Sequence, residues 1–201
     1  MPSKQRGILF IVSGPSGAGK GTLCAKLLKE NSNIHFSVSA TTRPCRENEI
    51  PGKSYHFISD SEYETLLQSD AFLEHAYVHK HRYGTLKAEV CGYLDKGMHV
   101  LLDIDTVGAL NIMSHDIDCV SVFMLPPSYA ALRERLLARN TDNSDDIALR
   151  INNAQAEIDK IDRYHYVIIN DDVDLAYHAL KAIVTAEQHS TKRYLPMVPN
   201  I

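Results

Sequence analysis

The sequence has few of the features that mark disulfide-rich, nucleic-acid-binding or membrane-inserted proteins. Its four cysteines are far apart and form neither a C-x-x-C pair nor a cluster of metal ligands, which argues against a disulfide framework and a zinc site. The net charge of −4 gives no general attraction to nucleic acid or to an anionic membrane. No apolar run is long enough for a signal peptide or a membrane span. We therefore expect a cytoplasmic protein with reduced thiols that binds neither nucleic acid nor membrane.

The composition is that of an ordinary soluble globular protein, since 44% of its 201 residues are hydrophobic and 23% are charged. Continuous apolar runs, which are typical of strands buried on both faces, alternate with helical segments. This order predicts an α/β fold, a parallel-sheet core with helices on both faces that binds ligands at the carboxyl ends of its strands. The predicted strands are 8–13, 98–104, 120–125 and 166–169, and the predicted helices are 22–29, 86–96, 128–138, 144–160 and 172–188.

A glycine-rich loop follows the first predicted strand and opens the first predicted helix. It consists of Gly14, Pro15, Ser16, Gly17, Ala18, Gly19, Lys20, Gly21 and Thr22. Glycines let several backbone N–H groups face one anion, the helix N-terminus adds its dipole, and the lysine reaches the β- and γ-phosphates of a nucleotide. The loop therefore predicts a P-loop that binds an NTP. The alternative is a strand-to-helix turn without a ligand.

One position of this loop departs from the G-x-x-x-x-G-K-[ST] pattern. Gly21 stands where the hydroxyl that binds Mg²⁺ is expected, and Thr22 follows it. We expect Thr22 to act as the magnesium ligand, either directly or through a water molecule.

Two charged regions interrupt the alternation of strands and helices. The first, residues 35–85, is too long for a simple connection, which predicts a small inserted subdomain. Arg43 and Arg46 lie close together there in a turn-like stretch, and paired guanidinium groups suit a phosphate. The alternative is that they pair with Glu47 and Glu49 on a solvated loop. Two tyrosines of this region are able to add neutral donors to the same anion: Tyr55 and Tyr83.

The second charged region, residues 139–152, joins two predicted helices. It is rich in polar, turn-forming residues and is bracketed by Arg139 and Arg150. This pattern predicts a mobile lid that brings positive charge over a phosphate chain. The alternative is an exposed helix–helix loop with a good N-cap.

Together these features resemble the guanylate kinases, a family of P-loop nucleoside monophosphate kinases that transfer the γ-phosphoryl group of ATP to GMP. The motifs that carry the resemblance are Ser39-x-Thr41-Thr42-Arg43-x-x-Arg46-x-x-Glu49, Gly52 with Tyr55, Phe72-Leu73-Glu74, Tyr83-Gly84-Thr85, Leu102-Asp103-Ile104-Asp105 and Asn170-Asp171-Asp172. The resemblance extends over residues 8–188. It implies a core P-loop domain of residues 1–34 and 86–201, a GMP-binding subdomain of residues 35–85 and a lid at residues 139–152.

The resemblance also implies roles for individual residues, with ATP and GMP as substrates and Mg²⁺ as cofactor. It implies that the catalytic residues are Lys20, Arg43, Arg139 and Arg150. It implies that ATP is bound by the P-loop, residues 14–22, and by Asn170 near the adenine. It implies that the acceptor set is Ser39, Arg43, Arg46, Glu49, Tyr55, Glu74, Tyr83, Thr85, Asp103 and Asp105. Within that set, the resemblance implies that the phosphate of GMP is bound by Arg43, Arg46, Tyr55 and Tyr83. It implies that the guanine is recognised by Ser39, Glu74, Thr85 and Asp105, with Asp103 close by.

The assignment of guanine to a carboxylate agrees with the chemistry of the base. Guanine presents its N1–H and its 2-amino group side by side as donors, and a carboxylate such as that of Glu74 accepts from both. Adenine lacks the amino group and has an unprotonated N1, which leaves the carboxylate mismatched. Asp103 and Asp105 follow a predicted core strand, where α/β enzymes place working carboxylates. The alternative for this pair is a cap on the next helix.

Two other functions fit parts of the pattern. A related P-loop sugar-phosphate kinase would keep Lys20 but would need no residues that recognise guanine. A noncatalytic guanylate-kinase-like module would use the GMP cleft for a phosphopeptide, but such modules generally have a degraded P-loop. The intact Lys20, together with Arg139 and Arg150, favours the enzyme. The oligomeric state stays open.

Overall fold

The computed structural model of the chain describes residues 6–78, 80–115, 117–138 and 144–193, and at residues 78 and 144–150 it describes the backbone only. The strands are β1 (Leu9–Ser13), β2 (Ile34–Phe36), β3 (Ala40–Thr41), β4 (His56–Phe57), β5 (Phe72–Val78), β6 (His81–Leu86), β7 (His99–Asp103), β8 (Cys119–Leu125) and β9 (Tyr166–Ile169). The helices are α1 (Lys20–Glu30), α2 (Asp60–Gln68), α3 (Lys87–Leu94), α4 (Thr106–Ser114), α5 (Tyr129–Leu137), α6 (Ser144–Ile158) and α7 (Val173–Gln188), with a short 3₁₀ turn at Ile161–Arg163.

The central sheet has five parallel strands in the order β2-β7-β1-β8-β9. β1 lies in the middle and is buried along its whole length, because helices cover both faces of the sheet. Phe10 and Val12 belong to the core on one face, and Leu9 and Ile11 belong to the core on the other. The predicted α/β fold with a parallel-sheet core is therefore confirmed.

Apolar helix faces complete the two cores. On one side, α1 and α7 contribute Leu23, Leu27, Tyr177, Leu180 and Val184. On the other side, α3 and α4 contribute Val90, Leu94, Ala109 and Ile112. Side-chain caps begin α5 and α7, since Ser128 accepts from the backbone N–H of Ala131 and Asp172 accepts from those of Asp174 and Leu175. Among the described residues, no helix combines the length and the apolar character needed to cross a bilayer.

The central sheet and the helices on it include two elements that the sequence analysis did not predict, the strand β2 and the helix α4. β2 has only three residues, Ile34–Phe36, and it pairs with β7 across the predicted boundary at residue 35. α4 follows β7 after a two-residue link and is apolar on most sides, so it lacks the amphipathic stripe that marks a surface helix. Both elements come from tertiary packing that local patterns do not report.

A second, smaller sheet lies within residues 40–86, with the strand order β4-β3-β6-β5. It packs on α2, where the rings of Tyr63 and Phe72 lie 4.8 Å apart and the Tyr63 hydroxyl donates to the Tyr83 carbonyl at 2.9 Å. Next to it, Glu89 of α3 lies 2.8 Å from His35 of β2 and accepts from the backbone N–H of Val38 at 3.3 Å. Three of the predicted acceptor residues, Glu74, Tyr83 and Thr85, lie on the strands of this sheet. Its assignment as a separate GMP-binding subdomain stays a prediction.

Asn170 holds the glycine-rich loop against the end of β9. Its side chain is 2% exposed and donates from Nδ2 to the Ala18 carbonyl at 2.8 Å. Its backbone carbonyl accepts from Arg135 of α5 at 2.9 Å. A Cβ at Gly19 would come within 2.2 Å of Asn170 Nδ2, and Gly19 has φ +89°, so this close approach requires glycine. The loop is therefore positioned by a strand that lies about 150 residues away in sequence.

We predict that Asn170→Ala lowers the free energy of unfolding by about 1–3 kcal/mol, because it removes a fully buried hydrogen bond and leaves the Ala18 carbonyl without this donor. Asn111→Ala is the matched control, since the amide of Asn111 donates to a backbone carbonyl at 3.3 Å in an exposed position. We expect that control to change stability by less than about 0.5 kcal/mol. Urea unfolding measures both variants, and equal losses would contradict the anchoring role of Asn170.

Candidate active site

The donor half of the candidate site is the loop between β1 and α1. Gly14, Gly17 and Gly19 all have positive φ, and α1 begins directly after the last of them. The Lys20 ammonium group donates to the carbonyls of Gly14 at 2.6 Å and Pro15 at 3.3 Å, so the loop itself holds the lysine over its centre. Backbone amides, a helix N-terminus and one lysine together form a cradle for a phosphate chain.

The predicted magnesium position lies at the first turn of α1. Gly21 and Thr22 are both exposed there. A Cβ at Gly21 would lie 3.9 Å from Oδ2 of Asp103, so the carboxylate at the end of β7 faces the same turn. No group of three or more His, Cys, Asp or Glu side chains suited to a metal occurs among the described residues. Thr22 and Asp103 thus place a hydroxyl and a carboxylate at this turn.

Arg43 is the centre of the predicted phosphate clamp, and Glu49 holds it in place. Arg43 donates from Nη1 to Glu49 Oε2 at 3.0 Å and from Nη2 to Oε1 at 2.7 Å, a bidentate pair. The backbone N–H of Arg46 donates to the same carboxylate at 2.9 Å. The Glu49 hydrogen bonds raise the pKa of the Arg43 guanidinium, and the guanidinium in turn lowers the pKa of Glu49.

Aromatic rings close over Arg43. Its guanidinium carbon lies 5.4 Å from the centre of the Tyr55 ring and 5.7 Å from that of Phe57. The Tyr55 and Tyr83 rings are 5.8 Å apart, edge to face. Burial raises the pKa of Tyr55 to about 12, with smaller contributions from the nearby Tyr83 and Asp103, so the clamp faces the end of β7. Arg43 does pair with Glu49, as the alternative interpretation held, but Arg43 is buried and the pair is not part of a solvated loop.

Glu74 is the most unusual titratable group of the site. It lies on β5 opposite Thr85 of β6, and its side chain is 7% exposed. The Thr85 hydroxyl donates to Glu74 Oε1 at 2.7 Å. Burial raises the pKa of Glu74 to about 7, with a further contribution from the charge of Asp105, because desolvation disfavours the ionised form. The ionised form of such a carboxyl group is stabilised by a ligand that donates hydrogen bonds to it.

The N-terminal turn of α4 forms the wall next to Glu74. Asp105 caps this turn by accepting from the backbone N–H groups of Val107 at 2.7 Å and Gly108 at 3.0 Å. Gly108 faces the Glu74 carboxylate so closely that a Cβ there would lie 2.6 Å from Oε2. Ser39 is half-buried at the start of the second sheet, where its carbonyl accepts from the backbone N–H of His56 at 2.9 Å. Asp105 therefore caps α4, as the alternative interpretation held. Its role in recognising guanine stays a prediction.

The structure brings most of the predicted residues to one region. The exceptions fall into two groups. Asn170 uses its amide on the P-loop, and its contact with adenine stays a prediction. Arg139 and the lid residues before residue 144 lie outside the described residues, as does the side chain of Arg150, so their roles stay predictions.

Sequence reasoning missed a polar contact that joins α6 to α4. The Thr106 hydroxyl donates to Glu157 Oε2 at 3.2 Å. Burial raises the pKa of Glu157, while the charge of Lys20 opposes that shift, so this carboxylate lies near the donor loop. Nothing in the local sequence around Glu157 marks it, because the residues it meets come from distant elements.

Comparison with known proteins supports the same assignment. A sequence model of the family described as guanylate kinase matches residues 6–187. The guanylate kinase of Caldanaerobacter subterraneus subsp. tengcongensis is 43% identical over 188 residues, which cover 94% of this chain and 91% of that protein. The chain belongs to the guanylate kinase family. The guanylate kinase of Symbiobacterium thermophilum is 45% identical over 193 residues, covering 96% and 92% of the two chains.

A solved structure of the guanylate kinase family has the same fold. The crystal structure of guanylate kinase from Anaplasma phagocytophilum superposes with a TM-score of 0.79 at 34% identity, covering 94% of this chain and 90% of that one. The resemblance inferred from the sequence motifs is therefore confirmed at the level of family and fold.

We predict that Glu49→Gln lowers the free energy of unfolding by about 1–3 kcal/mol at pH 7, because Arg43 then loses its charged partner in a buried position. The folded-state pKa of Glu49 is lowered from 4.5, so the stability it contributes is present above that value and is lost as the pH falls through the lowered pKa. The difference between wild type and variant should therefore shrink in acid.

Glu47→Gln is the control for this prediction, since Glu47 is exposed on the same loop. We expect it to change stability by less than about 0.5 kcal/mol at any pH. Urea unfolding at several pH values checks both variants. A Glu49→Gln effect no larger than that of Glu47→Gln would show that the ion pair does not hold the clamp.

Proposed function

We propose that this chain transfers the γ-phosphoryl group of ATP to GMP, and also to dGMP, giving ADP and the nucleoside diphosphate in purine nucleotide metabolism. The observation that carries the proposal is the buried Glu74 carboxylate, held by Thr85 in the small sheet whose strand β3 leads into the Arg43 clamp. A P-loop alone identifies only a nucleotide donor site. The carboxylate and the clamp together supply an acceptor site for a purine base and its phosphate.

The base preference follows from the orientation of Glu74. Thr85 occupies one lone pair of Oε1, which leaves Oε2 and the other lone pair of Oε1 for a ligand. The N1–H and 2-amino groups of guanine match two adjacent acceptors. Adenine would place the lone pair of its N1 against a desolvated carboxylate, and an unpaired buried group of this kind costs several kcal/mol.

The phosphate of GMP binds at the Arg43 clamp. The Arg43 guanidinium has five N–H donors and gives two of them to Glu49, so it keeps donors for an anion. The hydroxyl groups of Tyr55 and Tyr83 add further donors, and Arg46 adds charge at the exposed rim. The acceptor phosphate is itself a nucleophile near neutral pH, so the reaction needs no general base from the protein. Catalysis then consists of alignment and of charge neutralisation as the phosphoryl group moves. Arg43 screens two anions that otherwise repel each other.

The donor phosphates of ATP bind at the P-loop, where Lys20 exchanges its contacts with the Gly14 and Pro15 carbonyls for phosphate oxygens. The Thr22 hydroxyl and the Asp103 carboxylate near Gly21 fit Mg²⁺, which binds through one or two protein groups, phosphates and several waters. Thr22 and Asp103 are the residues that would hold it. When bound, Mg²⁺ neutralises charge on the donor phosphates. We also propose that Arg139 and Arg150 close over the transferring group.

We further propose that the enzyme acts in the cytoplasm on free nucleotides. The four cysteines, all among the described residues, are thiols, which are typical of a reducing compartment.

We predict that the purified chain, with ATP and Mg²⁺, phosphorylates GMP with a kcat/KM at least about a hundredfold above that for AMP, because AMP leaves the Glu74 carboxylate mismatched. Glu74→Gln should reduce this preference by at least about tenfold. Thr85 donates to Oε1, so the amide of the new glutamine turns its NH₂ group toward the base. A donor there opposes the N1–H of guanine and suits the N1 of adenine.

A coupled assay of ADP release with GMP, AMP, CMP and UMP measures these values. Glu64→Gln on α2 is the control, since Glu64 is half exposed and pairs with Arg82 at 2.9 Å away from the base site. Equal turnover of AMP and GMP by the wild type would refute the proposed function. An unchanged GMP preference in Glu74→Gln would remove Glu74 from base recognition.

A further inference from the structure

We propose that Gly108 is a specificity-determining position of this enzyme, because the absence of a side chain there gives the Glu74 carboxylate the space in which it recognises guanine. The inference rests on the proposed function. It adds a residue from α4 to a base site whose predicted members come from the small sheet and from the end of β7.

The geometry around Gly108 is tight. A Cβ built on its backbone lies 2.6 Å from Glu74 Oε2, 3.0 Å from Cδ and 3.4 Å from Oε1. All three contacts are with the carboxylate group of one residue. A methyl group at Gly108 would therefore clash first with the carboxylate of Glu74.

The carboxylate has little room to move away from α4. Thr85 holds Oε1 with a hydrogen bond of 2.7 Å, and Glu74 and Thr85 are direct partners in the β5–β6 ladder. The side chain is almost fully buried, so rotation toward solvent would give up both the hydrogen bond and the enclosure. The Glu74 carboxylate is thus held by the Thr85 hydroxyl of β6 and lies against α4 at Gly108.

The helix is equally restrained. Asp105 accepts from the N–H groups of Val107 and Gly108 and fixes the first turn. Ala109, the next residue, and Ile112, one turn further on, are completely buried in the core against the central sheet. A shift of α4 by the few tenths of an ångström that relieve a clash would have to move this core as well.

Local helix formation does not explain the glycine. Gly108 lies within α4 and its φ is not in the left-handed region, so the backbone conformation accepts any residue. Alanine favours a helix more than glycine does. The close approach of the carboxylate is the feature that requires glycine here.

The test compares Gly108→Ala with Gly92→Ala. Gly92 is also a helical glycine, on α3, and a Cβ there meets nothing within 4 Å. Steady-state kinetics should show the KM for GMP raised at least about tenfold in Gly108→Ala, with the KM for ATP within about twofold of wild type. The preference for GMP over IMP, which lacks the 2-amino group, should fall by at least about tenfold. Gly92→Ala should leave all of these values unchanged.

A double-mutant cycle with Glu74→Ala separates a specific contact from general damage to α4. Without the carboxylate, the Gly108→Ala substitution should change the KM for GMP and the thermal midpoint little or not at all. This arm also decides the case in which Gly108→Ala alone fails to fold, because Glu74→Ala with Gly108→Ala should then fold as well as Glu74→Ala.

The inference is overturned if Gly108→Ala keeps the wild-type preference for GMP over IMP, or if it lowers the thermal midpoint equally with and without Glu74. These results differ from a failure of the proposed function, which appears as a wild-type enzyme that does not prefer GMP over AMP.

Discussion

Burial of one carboxylate, that of Glu74, constrains the design of the acceptor site. An ionised carboxyl group in a desolvated pocket is unfavourable, and the protein offsets that cost only in part with the Thr85 hydroxyl. The pKa of Glu74 therefore rises to about 7, so protonated and ionised forms coexist at neutral pH. A ligand with two adjacent donors completes the hydrogen bonding of the ionised form, and guanine is such a ligand. The selectivity we infer thus arises because guanine, by donating two hydrogen bonds, offsets the cost of burying an ionised Glu74.

The two cations that we propose bind phosphate, Lys20 and Arg43, are held in place by partners within the protein. Lys20 contacts the carbonyls of its own loop, and Asn170 fixes that loop to β9. Arg43 is held by Glu49 in a bidentate pair beneath Tyr55. Such partners keep a long, flexible cation near its working position, which reduces the entropy lost when a phosphate binds. In both halves of the candidate site, a partner within the protein thus positions a cation before a phosphate binds.

The sequence predicted the fold well where the physics is local. Continuous apolar runs marked the four longer strands of the central sheet, and the predicted helix 128–138 agrees closely with α5. β2, with three residues, carries too little pattern to be recognised. The motif residues of the site were predictable by resemblance, whereas the contact between Glu74 and Gly108 joins positions far apart in the chain. The Arg43–Glu49 pair was open from the sequence, since spacing alone does not report burial.

We infer that Glu74 is a buried, partly protonated carboxyl group that ionises when guanine binds. Carbon-13 NMR of protein labelled at the glutamate carboxyl carbons tests it directly, with the Glu74 signal assigned by its loss in Glu74→Gln. In the free protein we expect the Glu74 signal to titrate with a midpoint near pH 7, because the carboxyl group is buried. Once GMP is added, the signal at pH 7 should take the chemical shift of the ionised form. Adding AMP should cause no such change. A signal that titrates near the ordinary glutamate pKa of about 4.3 and does not respond to GMP would contradict it.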